Sequence, residues 1–355
     1  MSGGDGQMFS AGSAARLCRF AFLLATLTVL APNSRAADGV FYKGAAGPGH
    51  GLRVVFLAGD EEYRSEEGLP MLAKILAVRH GFDCTVLLSI NAATGEIDPD
   101  CQTNQPGIEA LDTADLCVMQ LRFREWPDEQ MKHFVDYFKA GKPIIALRTS
   151  THAFAYSRNK NSPYAKYDWS SSQWPGGFGQ QVLGDTWVSH HGDHGKESTR
   201  GVFNPMFKEN PILRGVTDLW WPSDVYTVTH LPSDAQVLVW GQVLSGMKPD
   251  DPPVTGAKNN PLMPMVWVRE YKGDAGKISK IVATTAGAAV DLQNEGLRRL
   301  LVNACYWTLG LEDKMPAKAD VAYVDDYNPS FFGFGKAKKG VKPSDLKIGV
   351  APREH

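Results

Sequence analysis

Three imidazoles and a carboxylate fall within five residues at His190-His191-Gly192-Asp193-His194, in a stretch whose glycines mark it as a loop. Neutral imidazole ligates divalent ions, and it is also the side chain that titrates nearest neutrality. The cluster therefore suits either a zinc-like ion or proton transfer. As metal ligands the candidates are His191, His194 and Asp193, with His152 or Asp60 completing the set. The spacing matches no standard metal signature. It favours one histidine, His190 or His191, as a catalytic acid/base or a substrate hydrogen-bonder.

Three further polar bursts each follow a short apolar run. Arg148-Thr149-Ser150-Thr151-His152 follows Pro143-Ile144-Ile145-Ala146-Leu147. There His152 is a catalytic candidate, and Arg148 offers a planar fork for substrate oxygens. Ser150 would be a nucleophile only beside a base, no G-x-S-x-G elbow surrounds it, and hydroxyls at strand-to-helix junctions commonly cap the helix. Asp60-Glu61-Glu62-Tyr63-Arg64 follows the run 53–58; Glu62 is its catalytic candidate, and Asp60 and Tyr63 are substrate-positioning groups. Arg122 and Arg124 follow the run 116–121. Later, Trp220-Trp221-Pro222-Ser223-Asp224-Val225-Tyr226 combines rings that stack on sugars with Asp224 and Tyr226 as substrate contacts. The same two tryptophans would serve equally as a core pair at a strand entry.

The elements that position these groups follow from periodicity. The runs 53–58, 83–88, 116–121 and 143–147 are too short for ordinary helices and read as buried strands. Leu69, Leu72, Ala73 and Leu76 repeat at helical spacing until Gly81. Pro127 opens a second helix with Met131, Phe134, Val135 and Phe138 on one face, and Gly141 closes it. A closing helix spans 295–309. Strand–helix alternation predicts a mostly parallel sheet, and in such sheets ligands sit beyond the carboxyl ends of the strands. The polar bursts are then expected to converge on one edge. Strands are also expected at 202–203, 225–229, 237–240, 265–268 and 280–284. Residues 38–50 read as a flexible lead-in, 153–200 as an ordered insertion, and 313–355 as an extended tail packed on the surface.

The 355 residues carry a net charge of -2 with both signs mixed, which excludes a basic nucleic-acid face and an acidic disordered tail. Residues 1–36 have the form of a secretory signal: Arg16 and Arg19, a hydrophobic run at 20–31, then Ser34-Arg35-Ala36 before the cleavage point. That run is shorter than the roughly 20 residues that span a bilayer. The expectation is an exported protein with no membrane span after cleavage. Of the five cysteines, Cys84, Cys117 and Cys305 lie in apolar segments as small buried hydrophobes.

Taken in order, these features resemble the trehalose-utilisation (ThuA-like) family over about 51–312. The resemblance rests on Gly59-Asp60-Glu61-Glu62-Tyr63-Arg64, Gly141-Lys142-Pro143 with the strand ending at His152, and Phe178, Gly184 and His190-His191-Gly192. It continues through Asn210-Pro211-Ile212 to Gly215, Ser223-Asp224-Val225-Tyr226, and Gly296-Leu297-Arg298-Arg299-Leu300-Leu301-Val302-Asn303-Ala304. It implies a three-layer αβα sandwich, flavodoxin-like and similar to class I glutamine amidotransferases, and an activity on keto-sugars or glycosides, with a small carbohydrate as partner. An amidotransferase carries a nucleophilic Cys where this chain has Arg148-Thr149-Ser150, so glutamine hydrolysis is not expected. Relatives carry His after the glycine of the late strand, whereas here Ala288 follows Gly287. The competing expectation is a non-catalytic carbohydrate-binding or scaffold protein on the same fold.

Overall fold

A computed structural model describes residues 39–350; the leader read over 1–36 lies outside the described residues. The apolar runs become β2 (Arg53–Gly59), β3 (Asp83–Leu88), β4 (Leu116–Leu121) and β5 (Ile144–Leu147), which with β10 (Ile278–Thr284) run parallel. Their spatial order is β3-β2-β4-β5-β10. Numbered within that set, the order is second, first, third, fourth, fifth, and the direction of winding reverses between β2 and β4. Antiparallel strands extend both edges: β1 (Gly39–Tyr42) beside β3, and β9 (Met263–Lys272), β8 (Gln236–Val243), β6 (Thr199–Phe203) and β7 (Trp220–Trp221) beyond β10. The result is one mixed ten-stranded sheet with a parallel centre.

Strand alternation divides the core. Val54, Phe56 and Ala58 of β2 join the apolar side chains of α1 (Ser65–His80) and α3 (Glu295–Thr308). Val55 and Leu57 join Met131, Phe134, Val135 and Phe138 of α2 (Asp128–Lys139). Period-2 burial thus sends successive residues to different cores. Helix α1 stops because Gly81 turns left-handed at φ 82°, letting its N–H and that of Phe82 return to Ala77 and Leu76 carbonyls. Asn294 caps α3 by accepting from the Leu297 N–H at 2.8 Å.

Three expectations change. The lead-in contains β1, paired through Val40 and Tyr42, whose side chains are buried. Residues 225–229 form no strand; Tyr226 makes only a single antiparallel bridge to His190. Trp221 is fully buried in the core shared with α3, so it offers no sugar-stacking face, and Trp220 ties its indole N–H to Ser198 Oγ at 3.2 Å. Cys84, Cys117 and Cys305 are buried, free thiols. Among the described residues no helix is long and apolar enough to cross a membrane.

The tail packs back along α1. Arg79 donates to the Ala322 and Tyr323 carbonyls at 2.6 and 2.9 Å. Ala319 and Val321 enter the core, and Phe332 packs against Tyr63. Phe154, Tyr167, Phe178, Val182 and Leu183 anchor the 153–200 stretch on the α2 side.

Candidate functional site

Near the carboxyl ends of β2, β4 and β5 the chain carries the only non-glycine residues at positive φ among those described: Arg64 (59°), Phe123 (51°) and Arg148 (42°). Left-handed backbone costs an L-residue roughly 1–2 kcal/mol, and such positions concentrate at functional sites. The three mark one edge of the sheet, at and beside the winding reversal.

Arg148 lies directly after β5. Its guanidinium donates to the Asp224 and Thr285 carbonyls at 3.0 and 2.8 Å and to Asp224 Oδ1 at 3.0 Å. The Tyr63 and Tyr226 rings lie 3.9 and 4.4 Å from its Cζ. All of this is fully buried. The expectation that Arg148 binds substrate oxygens is corrected: its charge holds Asp224 in place. Tyr63 and Tyr226, expected as substrate contacts, are the buried rings that flank it.

Asp224 is the hub. Beyond Arg148, its Oδ1 meets His194 Nδ1 at 2.9 Å and its Oδ2 meets His190 Nδ1 at 2.7 Å. Burial alone would raise this carboxyl. Arg148 and the two histidine hydrogen bonds overcome that, and hold it well below the usual carboxylate range. An ionised Asp224 only accepts, so His190 donates from Nδ1, and the lone pair of its neutral tautomer falls on Nε2. The hub is fixed from behind. Thr199 Oγ1 donates to the Ser223 carbonyl at 2.8 Å, and Ser223 Oγ donates to Asp291 at 2.6 Å. Asp291 also accepts from the Gly287 and Ala288 N–H groups at 3.0 and 2.9 Å. The histidine loop docks alongside through His191 N–H to the Val225 carbonyl at 2.8 Å and Thr227 N–H to that of Ser189 at 2.9 Å.

Glu62 faces this hub from β2. Its Oε1 lies 3.4 Å from His194 Nε2, and its Oε2 lies 3.5 Å from Arg122 Nε. Burial, reinforced by the nearby Asp60, raises its pKa in spite of Arg122. Glu61 is committed to Arg122 and to Arg124, the latter at 2.5 Å. His152 is buried with Nδ1 3.3 Å from Thr151 Oγ1. Burial, with Arg122 and Arg148 nearby, holds its pKa well below the ordinary value, so it is neutral. Glu62, Arg122, Phe123, His152, Trp187, His190 and Tyr226 line a recess of about 20 Å³, the size of a water site.

Several sequence candidates lie elsewhere. His191 turns away, with Nε2 2.7 Å from the Lys258 carbonyl. Asp193 is on the surface, paired with Lys258 at 2.8 Å. Of the three expected metal ligands only His194 remains, and among the described residues the grouping that could hold an ion is His190, His194 and Asp224, whose ligand atoms lie within 4.8 Å of one another. Asp60 is buried and organises the turn, accepting from the Glu62 and Tyr63 N–H groups at 2.8 and 3.0 Å and from Thr149 Oγ1 at 2.6 Å. Ser150 Oγ donates to the Met119 carbonyl at 3.0 Å inside the fold, which removes it as a nucleophile.

The tail supplies a part of the site that sequence reasoning missed. The Phe332 ring lies 5.5 Å from Tyr63 and 5.1 Å from His194, and Phe334 covers Arg122 at 4.9 Å. Gly333 N–H donates to the Glu62 carbonyl at 2.8 Å. The signal was Phe331-Phe332-Gly333-Phe334, an aromatic knot in a segment otherwise rich in Lys, Pro and Gly.

No protein-family model matches the chain, and no curated protein matches it. Solved structures do. One, described as a ThuA-like protein from Parabacteroides merdae, is 15% identical, covering 73% of this chain and 90% of its own, with a TM-score of 0.48. Another, described the same way and from Bacteroides uniformis, is 13% identical, covering 75% and 95%, with a TM-score of 0.45.

Proposed function

We propose that this protein is an exported enzyme of the ThuA-like kind, built as a three-layer flavodoxin-like sandwich. In this reading it acts on a keto-sugar or glycoside by acid–base chemistry at the carboxyl edge of the sheet. The observation that carries the reading is the His190–Asp224 pair beside Glu62. An anionic acceptor at Nδ1 fixes the tautomer and orientation of the imidazole, as in other carboxylate–histidine pairs. His190 then takes a proton made acidic by an adjacent carbonyl. Glu62, with its raised pKa, is the group placed to return one. Neutral His152 hydrogen-bonds a substrate oxygen from the floor of the recess. No cysteine lies in this arrangement, which supports a reaction other than glutamine hydrolysis.

A second reading keeps the same residues. His190, His194 and Asp224 are chemically fit for a zinc-like ion, two imidazoles and a carboxylate being a common donor set. A bound ion would supply Lewis-acid polarisation of a sugar carbonyl, with Arg148 holding the Asp224 ligand. A non-catalytic carbohydrate-binding role is the remaining alternative, favoured by the small size of the recess.

One experiment separates these. The mature protein is screened against keto-sugars and glycosides, with and without added zinc, alongside H190A and H152A. Turnover abolished in H190A and independent of zinc supports the acid–base reading. Turnover that requires zinc supports the metal reading, and sugar binding without turnover in any condition overturns both.

A further inference from the structure

The recess at the carboxyl edge, about 20 Å³, takes one water-sized group and not a sugar ring. A sugar bound there must keep its ring outside, against whatever surrounds the mouth. Trp187 forms part of the recess wall, and its indole lies 5.4 Å from the His152 ring and 6.0 Å from that of His190. Trp169 follows at 6.1 Å from Trp187, and Phe123 at 5.8 Å from Trp169 and 5.0 Å from His152. The three rings are half-buried and run on from one another as an aromatic rim.

None of the three joins the apolar cores on the two faces of the sheet, so core packing does not account for them. Phe123 is also held at φ 51°, a conformation that costs a bulky residue free energy. Its N–H donates to the His152 carbonyl at 3.0 Å, which ties the strained turn to the recess. The tryptophans are fixed as firmly. Trp169 N–H donates to the Phe154 carbonyl at 3.0 Å, and Thr186 Oγ1 donates to the Trp169 carbonyl at 3.0 Å. Two residues before Trp187, the buried Asp185 accepts from the Thr186 and Thr229 N–H groups at 2.7 and 2.9 Å. A surface ordered in advance loses little entropy on binding.

An aromatic rim beside two imidazoles asks for a partner with an apolar face and an oxygen at its edge. A pyranose ring has both, because its axial C–H bonds lie against a π face while its oxygens point outward. An open-chain polyol lacks the apolar face, and a plain aryl ring leaves the polar recess unfilled.

We propose that Trp187, with Trp169 and Phe123 beside it, is the platform on which the pyranose ring of a substrate stacks. One oxygen carried by that ring enters the recess between His152 and His190. This stacking role rests on the sugar-active reading above and gives the substrate a closed ring.

The test uses the mature protein with methyl β-D-glucopyranoside as probe, sorbitol as the open-chain control and phenol as the aromatic control. Calorimetry should show the pyranoside binding at least tenfold tighter than sorbitol. W187A should weaken pyranoside binding at least tenfold, and W187F, which keeps a ring, should stay within about threefold of the wild type. Tryptophan fluorescence should change on adding the pyranoside, and most of that change should be lost in W187F. Thermal melts establish that both variants fold. H190A is measured alongside to separate stacking from chemistry. Turnover that persists in H190A, with binding weakened in W187A, overturns the acid–base reading and leaves the platform standing. Turnover lost in H190A, with W187A binding the pyranoside as tightly as the wild type, overturns the platform alone. Equal affinity for sorbitol and pyranoside, absence of pyranoside binding, or binding of phenol only also overturns the platform.

Discussion

Arg148 and Asp224, 76 positions apart in the chain, form an ion pair at 3.0 Å in which neither side chain has any exposed surface. Arg148 is also one of the three left-handed non-glycine residues. The backbone strain after β5 thus aims a positive charge inward, at the carboxylate that orders His190 and His194. Removing one partner of such a pair strands the other. R148M is expected to lower stability by about 3–5 kcal/mol in urea titration. R148K keeps the charge but not the forked contact to the Asp224 carbonyl and carboxylate, and should recover only part of the loss.

Asp224 has a pH signature. Its folded pKa is depressed, so its contribution to stability is complete above the ordinary aspartate value of about 3.9 and is lost as pH falls through the lower, folded value. D224N should therefore flatten the acid limb of the stability curve below about pH 4. At neutral pH it should be less stable than the wild type. Because an Asn carbonyl and amide no longer force donation from His190 Nδ1, turnover should fall by roughly 10²–10⁴-fold in the same variant. Melting curves from pH 2 to 7, with activity at pH 7, check both.

The parallel centre was legible in the sequence because buried parallel strands read as short, mostly apolar runs, and 53–58, 83–88 and 116–121 are such runs. The edge strands were harder. Gly39–Tyr42 reads as a lead-in because its pairing partner, β3, lies more than forty positions away and leaves no local trace. Residue types pointed to this edge, and the structure brings Glu62, His152 and His190 to one recess there. They did not reveal function within the edge. Arg148, Asp60 and Tyr63 look like ligand-binding groups in one dimension, and only burial shows that they hold the turn and the hub together. His191 and His190 are adjacent and chemically identical, so the sequence could not say which ring faces Asp224. A single bridge between His190 and Tyr226 decides it.

The aromatic tail gives a separate prediction. Phe332 is buried against Tyr63 and His194, and the Gly333 amide is bonded to Glu62. Substituting F332A should cost about 3–5 kcal/mol if the tail stays docked, as for other buried phenylalanines, and less if the segment detaches first. In either case His194 becomes more accessible. Modification by diethyl pyrocarbonate, followed by peptide mass spectrometry, should label His194 several-fold faster in F332A than in the wild type. Partly exposed His133 on α2, away from the tail, should be labelled at the same rate in both.

Glu66 yields a prediction of opposite sign to Asp224. Its folded pKa is raised to about 8 by burial, against an ordinary value of 4.5. At low pH both folded and unfolded states hold the proton and the group has no effect. As pH rises above 4.5 the unfolded chain ionises while the folded one does not, so stability falls, levelling off above about 8. Glutamine has the shape of the protonated acid and never ionises. E66Q should match the wild type near pH 4 and exceed it by roughly 2–4 kcal/mol at pH 8. Denaturant melts of the ligand-free protein at the two pH values measure the difference. Equal stability of the two proteins at pH 8 would show that Glu66 ionises in the folded state and that Arg64, at 3.6 Å, is a stronger partner than its geometry indicates.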